Sequence, residues 1–291
     1  MNDDLRLVFE SPSRAECSDR ALVLTAVQIP FQIVEDSASC ALVVPVEFSA
    51  QAMQELLAYD EENPPQPRAQ PNPLTVHNPI PGLIAYGLII VGVAFIAEYT
   101  ARGTDWYLAG RVDGVLMRAG EWWRAFTALT LHSDLEHLMG NLVFGTMFGL
   151  FAGRLVGSGA AWLSIVIAAG LGNSVNTLLL ETSHRAIGAS TAVFAALGLV
   201  AGFVWRGKFM AQDRWAYRFG PIVGGFALLM YTGTGGERTD IGAHLMGFLF
   251  GMAAGMLLSF VRNQLDNERL QLFSGIAAIL LMSGAWALAI M

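Results

Sequence analysis

The sequence predicts an all-α polytopic membrane protein carrying a small α+β soluble domain at its N-terminus. Three observations predict it. Hydrophobic residues make up 54% of the 291 residues and charged residues only 14%, with a mean hydropathy of +0.49. A soluble domain carries roughly 25% charged residues, so this chain cannot coat a globular surface with solvated charge. Apolar stretches long enough to approach the roughly 20 residues that cross a bilayer recur throughout residues 82–291. The charge is also divided unevenly. Residues 1–75 hold twelve acidic side chains against Arg6, Arg14, Arg20 and Arg68, whereas the remainder holds twelve acids against thirteen bases. The formal charge of −7 argues against nucleic acid as a partner, because that recognition wants a basic face.

Residues 1–62 read as the soluble domain. Residues 13–28 form a helical pattern capped by Ser11 or Ser13. Ile29 to Glu35 and Cys40 to Phe48 run like two short strands around the turn-forming Asp36-Ser37-Ala38-Ser39, and Ser49 opens a second helix to Tyr59. The expectation is an α-β-β-α unit. Its acidic start, Met1-Asn2-Asp3-Asp4, is the opposite of a signal peptide's basic one. The domain is therefore expected in the cytosol, with Cys17 and Cys40 reduced and buried rather than bridged, and open to a cytosolic partner. Residues 63–81 carry seven of the eleven prolines and read as an extended spacer.

Seven segments then qualify as spans: 82–97, 137–156, 160–180, 189–205, 219–232, 242–261 and 272–290, the fifth being short. Arg206, Lys208, Arg214 and Arg218 follow the fourth, Arg154 the second, and Arg262 and Arg269 the sixth. With the N-terminus inside, all these bases fall on the cytoplasmic side. The expected place is a multi-pass protein of the bacterial inner (plasma) membrane. The first loop, 98–136, then lies outside despite Arg102, Arg111, Arg118 and Arg124. Its Trp106, Tyr107, Leu108, Trp122, Trp123 and Phe126 suit an interfacial element.

Ionisable groups inside a span are functional by default, because hydrocarbon does not solvate them. His137 and Asn141 stand four apart on one face of the second segment, Ser190 opens the fourth, and His244 lies early in the sixth. All three segments enter from the outside, so these four side chains share one depth near the outer face. Such a set permits acyl transfer. A serine hydroxyl becomes a nucleophile when an imidazole accepts its proton, which assigns Ser190 and His244. Asn141, His137 and the backbone N–H of Ser190 could donate to a tetrahedral oxyanion. Gly247, Gly251 and Gly255, at spacings of four, mark a close helix crossing beneath His244. No metal or cofactor is expected: the two cysteines make no metal framework.

Together these residues resemble the rhomboid family of intramembrane serine proteases, over residues 122–256. The resemblance rests on Trp123-Arg124, Thr127, His132 and His137-Leu138-Met139-Gly140-Asn141; on Gly188-Ala189-Ser190; and on Ala243-His244-Leu245-Met246-Gly247 followed by Gly251. It implies a rhomboid-like helical bundle of six helices with one appended. It implies a Ser190–His244 dyad without a carboxylate, an oxyanion hole from His137 and Asn141, and a structural role for Trp123 and Arg124 in the first loop. It also places Phe194 against the catalytic imidazole. The implied reaction is hydrolysis of a peptide bond in or beside the transmembrane segment of a substrate protein in the lipid bilayer.

One residue departs from the pattern. Thr191 stands where the family usually has glycine, and its bulk could crowd the oxyanion hole. That leaves a second reading, an inactive binder of transmembrane client proteins. A proton-coupled transporter would expect internal repeats, and the sequence has none. Asp240, four residues before His244, could orient the base or sit at the surface with Arg238; the surface placement is the expectation.

Overall fold

The computed structural model describes residues 4–36, 39–63, 76–98, 104–209, 215–233 and 240–291. The chain divides into two compact units between Asn72 and Pro73. The first adds a strand to the expected α-β-β-α order. It runs β1 (Leu5–Ser11), α1 (Arg14–Ala26), β2 (Gln32–Glu35), β3 (Cys40–Pro45) and α2 (Ser49–Glu62). The sheet is antiparallel in the order β1-β3-β2. β1 escapes a period-two reading because its register against β3 shifts between Leu7 and Phe9, and such an irregularity turns neighbouring side chains to the same face.

β3 alternates strictly, burying Cys40, Leu42 and Val44 beneath the two helices. Leu24 of α1, with Ala52 and Leu56 of α2, closes this core. Arg20 ties the helices together through Asp60 at 2.6 Å and lies over the Phe9 ring at 4.2 Å. Cys17 donates its thiol to the Cys40 carbonyl at 2.9 Å, and burial pushes that thiol up to about 11. β2 starts later than expected because Ile29, after Gln28 at φ 59°, turns into the core instead of extending the strand.

The second unit is a helical bundle. α3 (Ile80–Glu98) is followed by a folded first loop made of α4 (Trp106–Gly110), β4 (Val112–Asp113), α5 (Gly114–Arg118), α6 (Arg124–Thr127) and a 3₁₀ turn, Ala128–Thr130. Then come α7 (Leu135–Val156), α8 (Ser158–Leu179), β5 (Arg185–Ala186), α9 (Ser190–Phe209), α10 (Trp215–Gly233), α11 (Ile241–Phe260) and α12 (Glu268–Ala289). Among the described residues six of these helices are long and apolar enough to cross a membrane. The expected fifth span appears as α10, whose apolar stretch is confined to Phe219–Tyr231 and which contains Pro221. The spans expose large apolar side chains such as Leu88, Phe95, Leu257 and Leu280, as a lipid-facing surface must.

α9 lies at the centre of the bundle, packed by α7, α8, α10 and α11. Its approach to α11 is backbone on backbone. A Cβ at Gly198 or Gly202 of α9 would strike the carbonyls of Phe248 or Met252, and one at Gly251 or Gly255 of α11 those of Ala195 or Leu199. Without a hydrophobic force between helices in lipid, such close van der Waals contact is what holds them.

The first loop is a built structure, and its arginines are structural. Buried Arg124 gives Nε to Glu121 at 2.6 Å and Nη1 to the carbonyls of Leu108 and Arg111. Arg118 donates to the carbonyls of Thr177, Leu178 and Leu180, closing the C-terminus of α8. Arg111 pairs with Asp113 at 3.6 Å. These uses explain three bases on a loop expected outside; Arg102 lies outside the described residues, as do Arg214, Arg238 and spacer residues 64–75. The loop is anchored to α12 by Trp286, whose Nε1 donates to Thr130 Oγ1 at 3.1 Å, and Trp106 and Trp286 lie with centroids 4.9 Å apart.

Candidate active site

Three helices begin with chemistry-bearing residues, and each start is fixed locally. Asp134 caps α7 by accepting from the His137 N–H at 2.8 Å. Asp240 caps α11 by accepting from the Ala243 N–H at 2.9 Å. α9 begins at Ser190, two residues after Gly188, whose φ of +129° a residue with a Cβ adopts only under strain. The segment before Ser190 is tied to the first loop. β5 pairs with β4, Gly188 N–H donates to the Ala128 carbonyl at 2.9 Å, and Arg185 Nε meets Asp113 at 2.6 Å.

The structure brings His137 to Ser190 across Gly188. A Cβ on Gly188 would lie 2.6 Å from His137 Nε2 and 3.6 Å from Ser190 Oγ, so both atoms face the same small space. Glycine is therefore demanded twice at this position, by backbone conformation and by the imidazole edge. On the other side, the Phe194 ring, one turn into α9, packs on the buried His244 ring with centroids 4.5 Å apart. A Cβ on Gly247 would strike the Thr191 carbonyl and lie 3.0 Å from its methyl. Thus α11 delivers His244 to the start of α9, where Ser190 is half-buried.

Asn141 is buried and donates Nδ2 to the His137 carbonyl at 3.0 Å, occupying one of its two N–H groups. Its own carbonyl accepts from Tyr86 of α3 at 2.7 Å. His132 lies edge-on to His137, centroids 5.1 Å apart, and its carbonyl accepts from Tyr107 at 2.8 Å. Burial, reinforced by His137, pushes the His132 imidazole down to about 4, so it is neutral at ordinary pH. Ser133 Oγ lies 2.7 Å from Asp134 Oδ2 and 3.3 Å from His137 Nδ1.

Thr191 does not crowd the space beside Ser190. It is buried, and its hydroxyl turns away to donate to Asn173 Oδ1 of α8 at 2.9 Å. Asp240 is not the surface group expected from sequence. Besides capping α11 it accepts from Asn176 Nδ2, at 3.0 Å to each oxygen, and meets His184 Nε2 at 3.0 Å. Trp123 stacks edge-on to Trp122 in the first loop. Asn173 and Asn176 escaped the reading of the sequence. Two amides three residues apart in an apolar segment carry the same signal that singled out Asn141.

Fold and site together define a polytopic helical membrane protein with a serine and two histidines gathered at helix N-termini, at one end of the bundle. Residues 119–260 match the rhomboid domain family model. The chain is 28% identical over 152 residues to YdcA of Bacillus subtilis (strain 168), which carries a rhomboid-protease name. It is 35% identical over 89 residues to the rhomboid protease GluP of the same bacterium, and 30% identical over 151 residues to rhomboid-like protease 2 of Toxoplasma gondii. These alignments cover 52%, 31% and 50% of this chain, and 72%, 17% and 50% of the respective relatives. Residues 119–260 thus carry a rhomboid domain.

Proposed function

We propose that the protein is an intramembrane serine endopeptidase, cutting peptide bonds in or next to the transmembrane segments of membrane-protein substrates. The observation that carries this reading is the convergence on Ser190. His137 reaches it across Gly188, while Phe194 and the Thr191–Gly247 contact hold the His244 helix to the same turn of α9. The rhomboid-protease names of its relatives point the same way.

In this mechanism Ser190 Oγ attacks the scissile carbonyl carbon as His244 takes the hydroxyl proton. The oxyanion so formed is met by the Ser190 N–H, which the first turn of a helix leaves without an intrahelical acceptor. The second Asn141 N–H and the His137 imidazole complete the hole. His244 returns the proton to the leaving amine. A water, with His244 again as base, then hydrolyses the acyl-enzyme and regenerates Ser190. Exposed Ser133, Asp134 and Glu136 beside His137 provide the polar entry for that water. One oxyanion donor contributes about 3–4 kcal/mol to such a transition state. We place the N-terminus in the cytoplasm and the site near the outer face of a bacterial inner membrane, on the arginines that follow the second, fourth and sixth segments.

The test is covalent labelling of purified protein by a fluorophosphonate probe. Labelling of wild type and its loss in Ser190→Ala supports the reading; equal labelling of both sinks it. An inactive client binder would bind a transmembrane peptide without cleaving it. Cleavage of a reconstituted transmembrane substrate, abolished in His244→Ala, separates the two.

A further inference from the structure

Ser190 and His244 stand on different helices, and a third helix reaches both. Asn173 and Asn176 lie three residues apart on α8, so they project from neighbouring positions of one face. Both are buried in the last two turns of the helix. Asn173 Oδ1 accepts from the hydroxyl of Thr191, the residue next to Ser190, while its Nδ2 donates to the Ala125 carbonyl of the first loop at 2.9 Å. Its backbone carbonyl accepts from Thr177 at 2.7 Å. Asn176 Nδ2 spans both oxygens of Asp240, whose carbonyl accepts from the His244 N–H at 3.1 Å. Two contacts leave little play in this arrangement. A Cβ at Gly172 would lie 2.9 Å from the Gly247 nitrogen, and one at Gly242 would strike Asn176 Oδ1.

We propose that Asn173 and Asn176 are positioning residues that together set the separation of Ser190 and His244, Asn173 through Thr191 and Asn176 through Asp240. Packing alone would be served by apolar side chains of the same volume, and burying amides in a span is costly unless they are bonded. Each amide here is spent on the end of a different helix. The amide of Asn173 is oriented by an acceptor on the first loop and a donor on α9, so it fixes that distance directionally. Threonine at position 191 is then half of a pair with Asn173, which gives the departure from the family's usual glycine a physical role. A displacement of about 1 Å between reacting groups can cost on the order of a hundredfold in rate.

This proposal rests on the proteolytic reading for its kinetics, so the experiment carries a second readout that does not. In proteoliposomes with a transmembrane-peptide substrate, Thr191→Val, Asn173→Leu and Asn176→Leu each lower kcat by 10- to 100-fold with KM within about twofold. Thr191→Ser, which keeps the hydroxyl, stays within threefold of wild type, and Asn173→Leu/Thr191→Val is no slower than the slower single variant. In a Cys17→Ala/Cys40→Ala background, oxidative crosslinking of Ser190→Cys to His244→Cys slows at least fivefold when Asn173→Leu or Asn176→Leu is added. Unchanged crosslinking overturns the proposal, whether or not the wild type cleaves. So does a Thr191→Ser variant as slow as Thr191→Val. Slowed crosslinking in a wild type that neither labels nor cleaves upholds the positioning and sinks only the protease.

Discussion

The carbonyl of Thr191 rests directly on Gly247, so nothing larger than a hydrogen fits between the helix that begins at Ser190 and the helix that carries His244 at this level. The contact repeats down the crossing at Gly251 on Ala195 and Gly255 on Leu199. It makes the geometry of the site a property of two backbones.

Gly247→Ala is therefore expected to separate α11 from α9 at the level of Ser190 and His244. Overpacking of this kind costs about 1–3 kcal/mol, and activity is expected to fall more than tenfold. Gly140→Ala is the control, because a Cβ there meets nothing within 4 Å; it should leave both the apparent Tm and the cleavage rate near wild type. Equal rates for the two variants would contradict the backbone contact.

Phe194→Leu removes the ring beneath the His244 imidazole while keeping an apolar side chain. The expected result is a fall in kcat of about tenfold with a change in Tm of only a few degrees, since packing loss at a single core aromatic is partly recovered by leucine. Fluorophosphonate labelling rates would read the effect without a substrate.

Arg124→Lys should destabilise the bundle even though the charge is kept. A lysine cannot span Glu121 and the carbonyls of Leu108 and Arg111 as the guanidinium fork does. Losing hydrogen bonds to a buried charged group costs about 2–3 kcal/mol. The check is the half-life of inactivation on heating in detergent, expected to shorten well before any change in the initial cleavage rate.

His132 makes folding stability depend on pH. Its folded value of about 4 lies below the usual 6.5 because burial penalises the cation. The unfolded chain therefore binds the extra proton first. The stability it confers is complete above pH 6.5 and is lost as pH falls through 4, by at most about 3 kcal/mol. Unfolding midpoints of wild type and His132→Gln should converge on acidification; parallel profiles would exclude this contribution.

Much of the fold was legible because a bilayer simplifies the code. Residues 82–97, 160–180 and 242–261 became Ile80–Glu98, Ser158–Leu179 and Ile241–Phe260, since a span must be continuously apolar and helical. The soluble unit was harder. β1 was missed because its bulge breaks the alternation by which strands are recognised, and Asp240 was misplaced because its partners lie on α8 and in the segment before β5. Among the candidate site residues, Ser190, His137, Asn141 and His244 were visible as polar groups in apolar segments. Asn173 and Asn176 carried the same signal, but no motif drew attention to them.

The sequence by itself determined which long apolar helices exist, which family pattern they carry, and which polar side chains stand in hydrocarbon. Those properties are local, being set by composition and by spacing along one helix. Only the tertiary structure decided what Thr191, Asp240 and the first-loop arginines do. The partners that decide this stand sixteen or more residues away: Leu108 for Arg124, Thr177 for Arg118, Asn173 for Thr191 and Asn176 for Asp240. Hydrogen bonds between helices depend on how backbones approach one another, and that approach is set by glycines whose role appears only when the facing helix is in place.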